Sequence, residues 1–206
     1  MSIHSEFVRD TFLKFEFKPG SCRPITQLFL DRGIHNFFVA CNDVKLLPYR
    51  RIHHENDPGA VLTEHCGTCS SKHALLKTVA AENQHDEVRL MLGIYRMNEI
   101  NTPEVKEILK KYQLNYLPEA HNYLKIHGEI FDFTKPNFDI RKFSGDIIFE
   151  HEILPENIVN FKTNLHKNYL NHWIQESKLE NIELEDLWMI RELCIQQLIH
   201  SDIAKY

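Results

Sequence analysis

The run EVRLMLGIYRM at 87–97 most limits what this chain can fold into. Val88, Leu90, Leu92 and Ile94 alternate on one face, and the other face is also partly apolar. That pattern predicts a central strand, and a central strand needs neighbours. HNYLKIHGEIFDFT at 121–134 supplies a hairpin, with His127-Gly128 as its turn. DIIFEHEI at 146–153 supplies a further strand.

Helical patterns surround these strands. Residues 5–17 are amphipathic and read as helix. A second helix begins at Ser21 and stops at Gly33. A third covers 36–47 and ends before Pro48. Residues 49–60 are polar and hold Pro58-Gly59, a loop signal, and His53-His54 belongs to that loop rather than to a ligand pair. SSKHALLKTVAAEN follows Cys69 as a helix whose face of Ala74, Leu75, Val79 and Ala80 suits close packing. Thr102-Pro103 starts another helix, with Thr102 as its cap. From Pro155 the chain is helical, and Trp173 and Trp188 read as helix packing with Leu165, Leu170, Leu187 and Leu193. Helices around a small, largely antiparallel sheet make the class α+β. The periodicity changes near 154, dividing a unit over 1–154 from a helical extension over 155–206 that packs on the same core.

Charge and cysteine usage exclude several functions. The net charge of −5 with no basic run argues against nucleic acid, which needs clustered Lys and Arg. No segment approaches the about 20 apolar residues that span a bilayer. No signal peptide is apparent, and five scattered cysteines, an odd count, do not form a disulfide framework. The expected compartment is reducing and cytoplasmic, and the oligomeric state is left open.

The chemistry gathers at EHCGTCSSKHALL, 64–76. Cys69 opens a helix, where backbone N–H groups and the helix dipole favour a thiolate. Gly67 allows a tight turn and close approach of substrate backbone. A nucleophilic cysteine needs a base, and the base an orienting group. If His127-Gly128 is a two-residue turn, position 121 faces 134. His121 and Asp132 then become diagonal neighbours on one face, with Cα atoms roughly 7–8 Å apart. A turn one residue different splits them across faces.

Gly67-Thr68-Cys69 before a helix, an apolar strand, His121 opening the next strand, and Asp132-Phe133-Thr134 closing the hairpin together resemble the transglutaminase-like superfamily, over about 60–135. The resemblance implies a papain-like core, with the nucleophile helix on the sheet, and a Cys-His-Asp triad. Cys69 would be nucleophile, His121 general base and acid, and Asp132 the orienting group. It implies a cysteine-dependent amide hydrolase or acyltransferase working through a thioester, with a peptide or protein amide as substrate (a glutamine side chain or a backbone amide) and no cofactor or metal. Some members are catalytically silent binding domains. The family's oxyanion hole uses an upstream side chain, for which Gln27, Asn36 and Asn42 are candidates. An aromatic often follows the family's His, whereas Asn122 stands here.

Two rival readings use the same stretch. Cys66 and Cys69 form a C-x-x-C pair at a helix start, as in thioredoxin-like oxidoreductases, with Pro118 and the later hairpin as loose matches. That fold needs a buried strand before Cys66, where GAVLTE stands. A metal site would draw on His65, Cys66, Cys69 and His73. In the triad reading, Cys66 is a bystander or a redox lock. Glu119 stands where it can tune His121.

Overall fold

In a computed structural model of the chain, residues 15–20, 22–136, 143–177 and 182–203 are described. The described elements, in chain order, are α1 (Pro24–Asp31), α2 (Phe37–Leu46), the single turn α3 (Ala60–Thr63), α4 (Cys69–Glu82), β1 (Val88–Met97), a 3-10 turn (Pro103–Val105), α5 (Lys106–Lys111), β2 (Leu117–Ile126), β3 (Glu129–Phe131), β4 (Ile147–Glu152), a second 3-10 turn (Pro155–Asn157), α6 (Asn160–Ser177) and α7 (Leu184–Ile203). The four strands form one antiparallel sheet in the order β3-β2-β1-β4. The class is α+β, with the helix that carries Cys69 packed on the sheet.

The alternation in β1 sorts the core into two layers. Leu90, Leu92 and Ile94 join Ala120 and Leu124 of β2, and pack under α4 with Leu75, Leu76 and Val79. Met91, Tyr95 and Met97 face the other way with Leu117 and Tyr123, under Leu170, Trp173, Leu187 and Ile190 of the last two helices. Both sheet faces are dry, which is why the strand is apolar on both sides.

Local rules explain most element boundaries. The Asn36 side chain accepts a hydrogen bond from the Val39 N–H and caps α2. Thr68 and Ser71 close a capping box at the head of α4, fixing Cys69 as its first residue. His127 and Gly128 both carry positive φ (49° and 85°), as a two-residue hairpin turn of this hand requires, and Ile126 pairs with Glu129.

Other expectations need correction. Of the helix expected over 5–17, residues 5–14 lie outside the described set. Glu16 instead forms an isolated antiparallel bridge to Asn36. The second helix starts at Pro24 rather than Ser21, because Pro suits a first helical position. Thr102 makes no side-chain cap, and a 3-10 turn precedes α5. Residues 60–63 are helical, so no strand leads into Cys66 as a thioredoxin-like fold would need.

Candidate functional site

The site forms where β2 outruns its neighbour. β3 ends at Phe131, opposite Leu124, so within the described sheet β2 is an open edge from Tyr123 back to Leu117. The head of α4 sits against that edge. The backbone N–H of Asn122 and the His121 ring both hydrogen-bond the Cys69 sulfur. The Asn122 side chain donates to the Met91 carbonyl at 3.0 Å and accepts from Ser70 Oγ at 3.0 Å, tying helix to strand. Asn122 therefore has a local task of its own.

Asp132 reaches His121 by a different route from simple strand pairing. The ladder stops one residue earlier, and the chain turns out at Asp132. The Thr134 N–H donates to Asp132 Oδ1 at 2.7 Å, a local turn for which Asp is suited. The Phe133 N–H donates to Nε2 of His73 at 2.8 Å, and Nδ1 of His73 donates to the Cys69 carbonyl at 2.7 Å. Lys72, fully buried, donates to the carbonyls of Thr134 and Leu47 at 2.8 and 2.5 Å. So presented, Asp132 Oδ2 accepts from His121 Nε2 at 2.5 Å. Nδ1 is the His121 nitrogen left for the sulfur.

His121 lies within β2 rather than at its start, because the strand begins at Leu117. Gly67 has no positive φ. A Cβ there would lie 2.9 Å from Lys72 Cγ and 3.0 Å from Ser71 Oγ, so its smallness admits the side chains that brace the site.

The electrostatics are asymmetric. Burial alone would push the Cys69 thiol up. The Lys162 ammonium, the His121 ring and the Asn122 N–H outweigh it and bring the thiol down to about 6. Burial would push His121 down, but the Cys69 sulfur and the Asp132 carboxylate hold it up at about 10. Burial likewise opposes ionisation of Asp132, yet His121 keeps it well below the usual carboxylate range. Between these values the pair is a thiolate beside an imidazolium. His73 is the contrary case, because burial takes it down to about 4 and leaves it neutral.

The far wall comes from the C-terminal helices. Lys162, His166, Leu170 and Trp173 form one buried stripe of α6. Lys162 Nζ lies 2.7 Å from Ser70 Oγ and 3.7 Å from Cys69 Sγ. His166 donates to the Pro118 carbonyl at 2.9 Å. Arg191 of α7 holds Glu119 with two hydrogen bonds, at 3.0 and 2.8 Å, and also reaches Glu192 at 2.6 Å. Glu192 in turn takes Arg51 at 2.8 Å. Glu119 is thus buried and claimed by Arg191, rather than solvated beside His121. The Tyr49 N–H donates to Asp202 at 2.7 Å and fastens the end of α7 to the loop before α3.

Together these walls enclose a cavity of about 240 Å³ into which Cys69 opens, with Tyr49, Ser70, Lys162, Trp188 and Arg191 among its lining residues. Trp188, expected as helix packing, does pack against the second core layer and also lines this cavity. Trp173 does pack, and its indole N–H donates to the Tyr116 hydroxyl at 2.9 Å. Lys162 and Arg191 were missed by sequence reasoning. For Lys162 a signal existed, since a lysine and a histidine continue the helical stripe of Leu170 and Trp173.

Several candidates lie apart from the cavity. The Gln27 side chain donates to Asp31, Asn36 caps α2, and Asn42 donates to the Phe38 carbonyl. None lines the cavity. Cys66 is buried, and its sulfur lies 3.9 Å from the Arg51 carbonyl. All five cysteines are free thiols. Both ring nitrogens of His73 are engaged, and among the described residues no group of three or more His, Cys, Asp or Glu is placed to hold a metal ion. The backbone N–H groups of His53 and His54 donate to Glu64, which orders a loop. Among the described residues no helix is long and apolar enough to cross a membrane.

No family model matches the chain, and no curated protein matches it. Among solved structures, one from Cytophaga hutchinsonii, described as a "putative cysteine protease", is similar at 15% identity with a TM-score of 0.40, covering 69% of this chain. The chain spans less than half the length of that protein, 46%.

Proposed function

We propose that this chain is a cysteine-dependent amide hydrolase or acyltransferase of the transglutaminase-like kind, working through a thioester on Cys69. The reading rests on one observation above all. A buried cysteine at a helix start, held as thiolate, shares hydrogen bonds with a histidine whose far nitrogen is 2.5 Å from a buried aspartate.

In this reading the Cys69 thiolate attacks the amide carbonyl and forms the C–S bond. As the C–N bond breaks, the His121 imidazolium gives its Nδ1 proton to the departing amine. Neutral His121 then takes a proton from water or from an acceptor amine, which attacks the thioester and frees the thiolate. Asp132 holds the ring and favours its cationic form. A cavity of about 240 Å³ has room for a side chain rather than a folded segment, which favours a side-chain amide such as glutamine as acyl donor.

The test is a panel of peptide and glutamine-amide substrates, with and without an added primary amine, run beside a disulfide-reduction assay. Ammonia release or amine incorporation that disappears in Cys69→Ser and His121→Ala, and survives in Cys66→Ser, is the expected result. Disulfide reduction that needs both cysteines and ignores His121→Ala would replace this reading with the thioredoxin-like one. Silence in both assays would leave the fold as a binding domain.

A further inference from the structure

Lys162 is buried, yet its described contacts are the Cys69 sulfur at 3.7 Å and Ser70 Oγ at 2.7 Å, with no carboxylate among its hydrogen bonds or ion pairs. Buried cations are ordinarily paired, because an unpaired one forfeits its hydration. In the resting site the thiolate is the anion nearest to this ammonium. The proposed reaction removes that anion, since acylation turns the sulfur into a neutral thioester.

The charge does not leave the neighbourhood. When the sulfur attacks a carbonyl carbon, the negative charge passes to the carbonyl oxygen, separated from sulfur by that single carbon. Lys162 and Cys69 line the same cavity, the open space into which an acyl group on the sulfur would project. Glu119, a buried carboxylate that lines the same cavity, is already taken by two hydrogen bonds from Arg191.

We infer that Lys162 is a further catalytic residue, the cationic donor that follows the negative charge from the Cys69 sulfur to the carbonyl oxygen of the tetrahedral intermediate, with Ser70 Oγ as the hydroxyl that positions it. This assignment rests on the acyl-transfer reading and deepens it. It fills the side-chain role for which Gln27, Asn36 and Asn42 were candidates. A preorganised charge aimed at a developing oxyanion acts with little reorganisation, and loss of one such donor lowers rates by about 10²–10³.

Two probes separate the charge on sulfur from the charge on oxygen. Iodoacetamide alkylates the thiolate by displacing iodide and creates no oxyanion. p-Nitrophenyl acetate acylates the same thiolate through a tetrahedral oxyanion that collapses by expelling p-nitrophenolate. Rate constants for both, each referred to the ionised Cys69 across a pH series, are compared for the full chain and for Lys162→Met. The expected result is alkylation within a few-fold of the parent and acylation slower by about a hundredfold. Ser70→Ala, which keeps the charge but loses its positioning hydroxyl, is expected to slow acylation alone, by about tenfold. It decides the matter if Lys162→Met does not fold. Equal acylation rates in the parent and in the folded variants overturn the Lys162 assignment and leave the acyl-transfer reading standing. A parent that is alkylated at Cys69 but never acylated overturns both.

Discussion

Two charge clusters meet at one cavity, one buried throughout and the other running out to an exposed Arg51. On the sheet side, Cys69, His121 and Asp132 share protons along a line with a single carboxylate at its end. On the helix side, Glu119, Arg191, Glu192 and Arg51 alternate in sign. Every charge in the second chain has an opposite neighbour within hydrogen-bond reach, and Arg191 is held firmly cationic by Glu119 and Glu192 against the pull of burial. Such a network can only hold its place. In the first cluster a thiol of about 6 faces an imidazole of about 10, so near neutral pH the proton rests on the imidazole and the sulfur is left as thiolate. In the proposed reading, reactivity rests on a thiolate that takes the place a second acid would occupy.

Breaking each cluster should therefore read out differently. Cys69→Ser should lose about 10⁴-fold or more of any amide turnover, with the melting temperature little changed, measured as ammonia release and thermal unfolding. Arg191→Met should do the reverse. It strands Glu119 as an unpaired buried carboxylate and should destabilise the fold by about 3–5 kcal/mol, read by urea unfolding.

A third change sharpens the contrast on pH. The Cys69 thiolate forms as pH rises through about 6, so alkylation by iodoacetamide should rise through that value. Amide turnover should rise with it, then fall as pH rises through about 10, where His121 loses the proton its leaving amine needs. In His121→Ala the alkylation midpoint should move up toward the ordinary thiol range, slowing alkylation at pH 6 by about a hundredfold. A midpoint that stays put would mean Lys162 alone depresses the thiol. The smallest effect is expected at Cys66, three residues from Cys69. Its sulfur faces a backbone carbonyl, so Cys66→Ser should leave alkylation of Cys69 within about two-fold and stability within about 1 kcal/mol.

The segment from 60 to 135 was legible because its contacts are local or follow simple period rules. Alternation in β1, the two-residue turn at His127-Gly128 and the start of α4 at Cys69 follow from φ preferences, capping and burial acting over a few residues. They bring Cys69, His121 and Asp132 onto neighbouring elements. The exact approach of Asp132 was not legible, because it depends on His73 and Lys72 holding a loop some 60 residues away in sequence.

The sequence by itself determined the class, the central strand, the helix that begins at Cys69 and the turn that returns Asp132 toward His121, since each rests on forces between near neighbours. Only the tertiary structure decided that a lysine 93 residues beyond Cys69 neighbours its sulfur, that Arg191 claims Glu119, and that Trp188 lines a cavity as well as packing on the core. A charged side chain on a helix carries no period of its own. Whether it meets water, a counter-ion or a nucleophile is set by which face the packing of Leu170, Trp173, Leu187 and Ile190 turns inward.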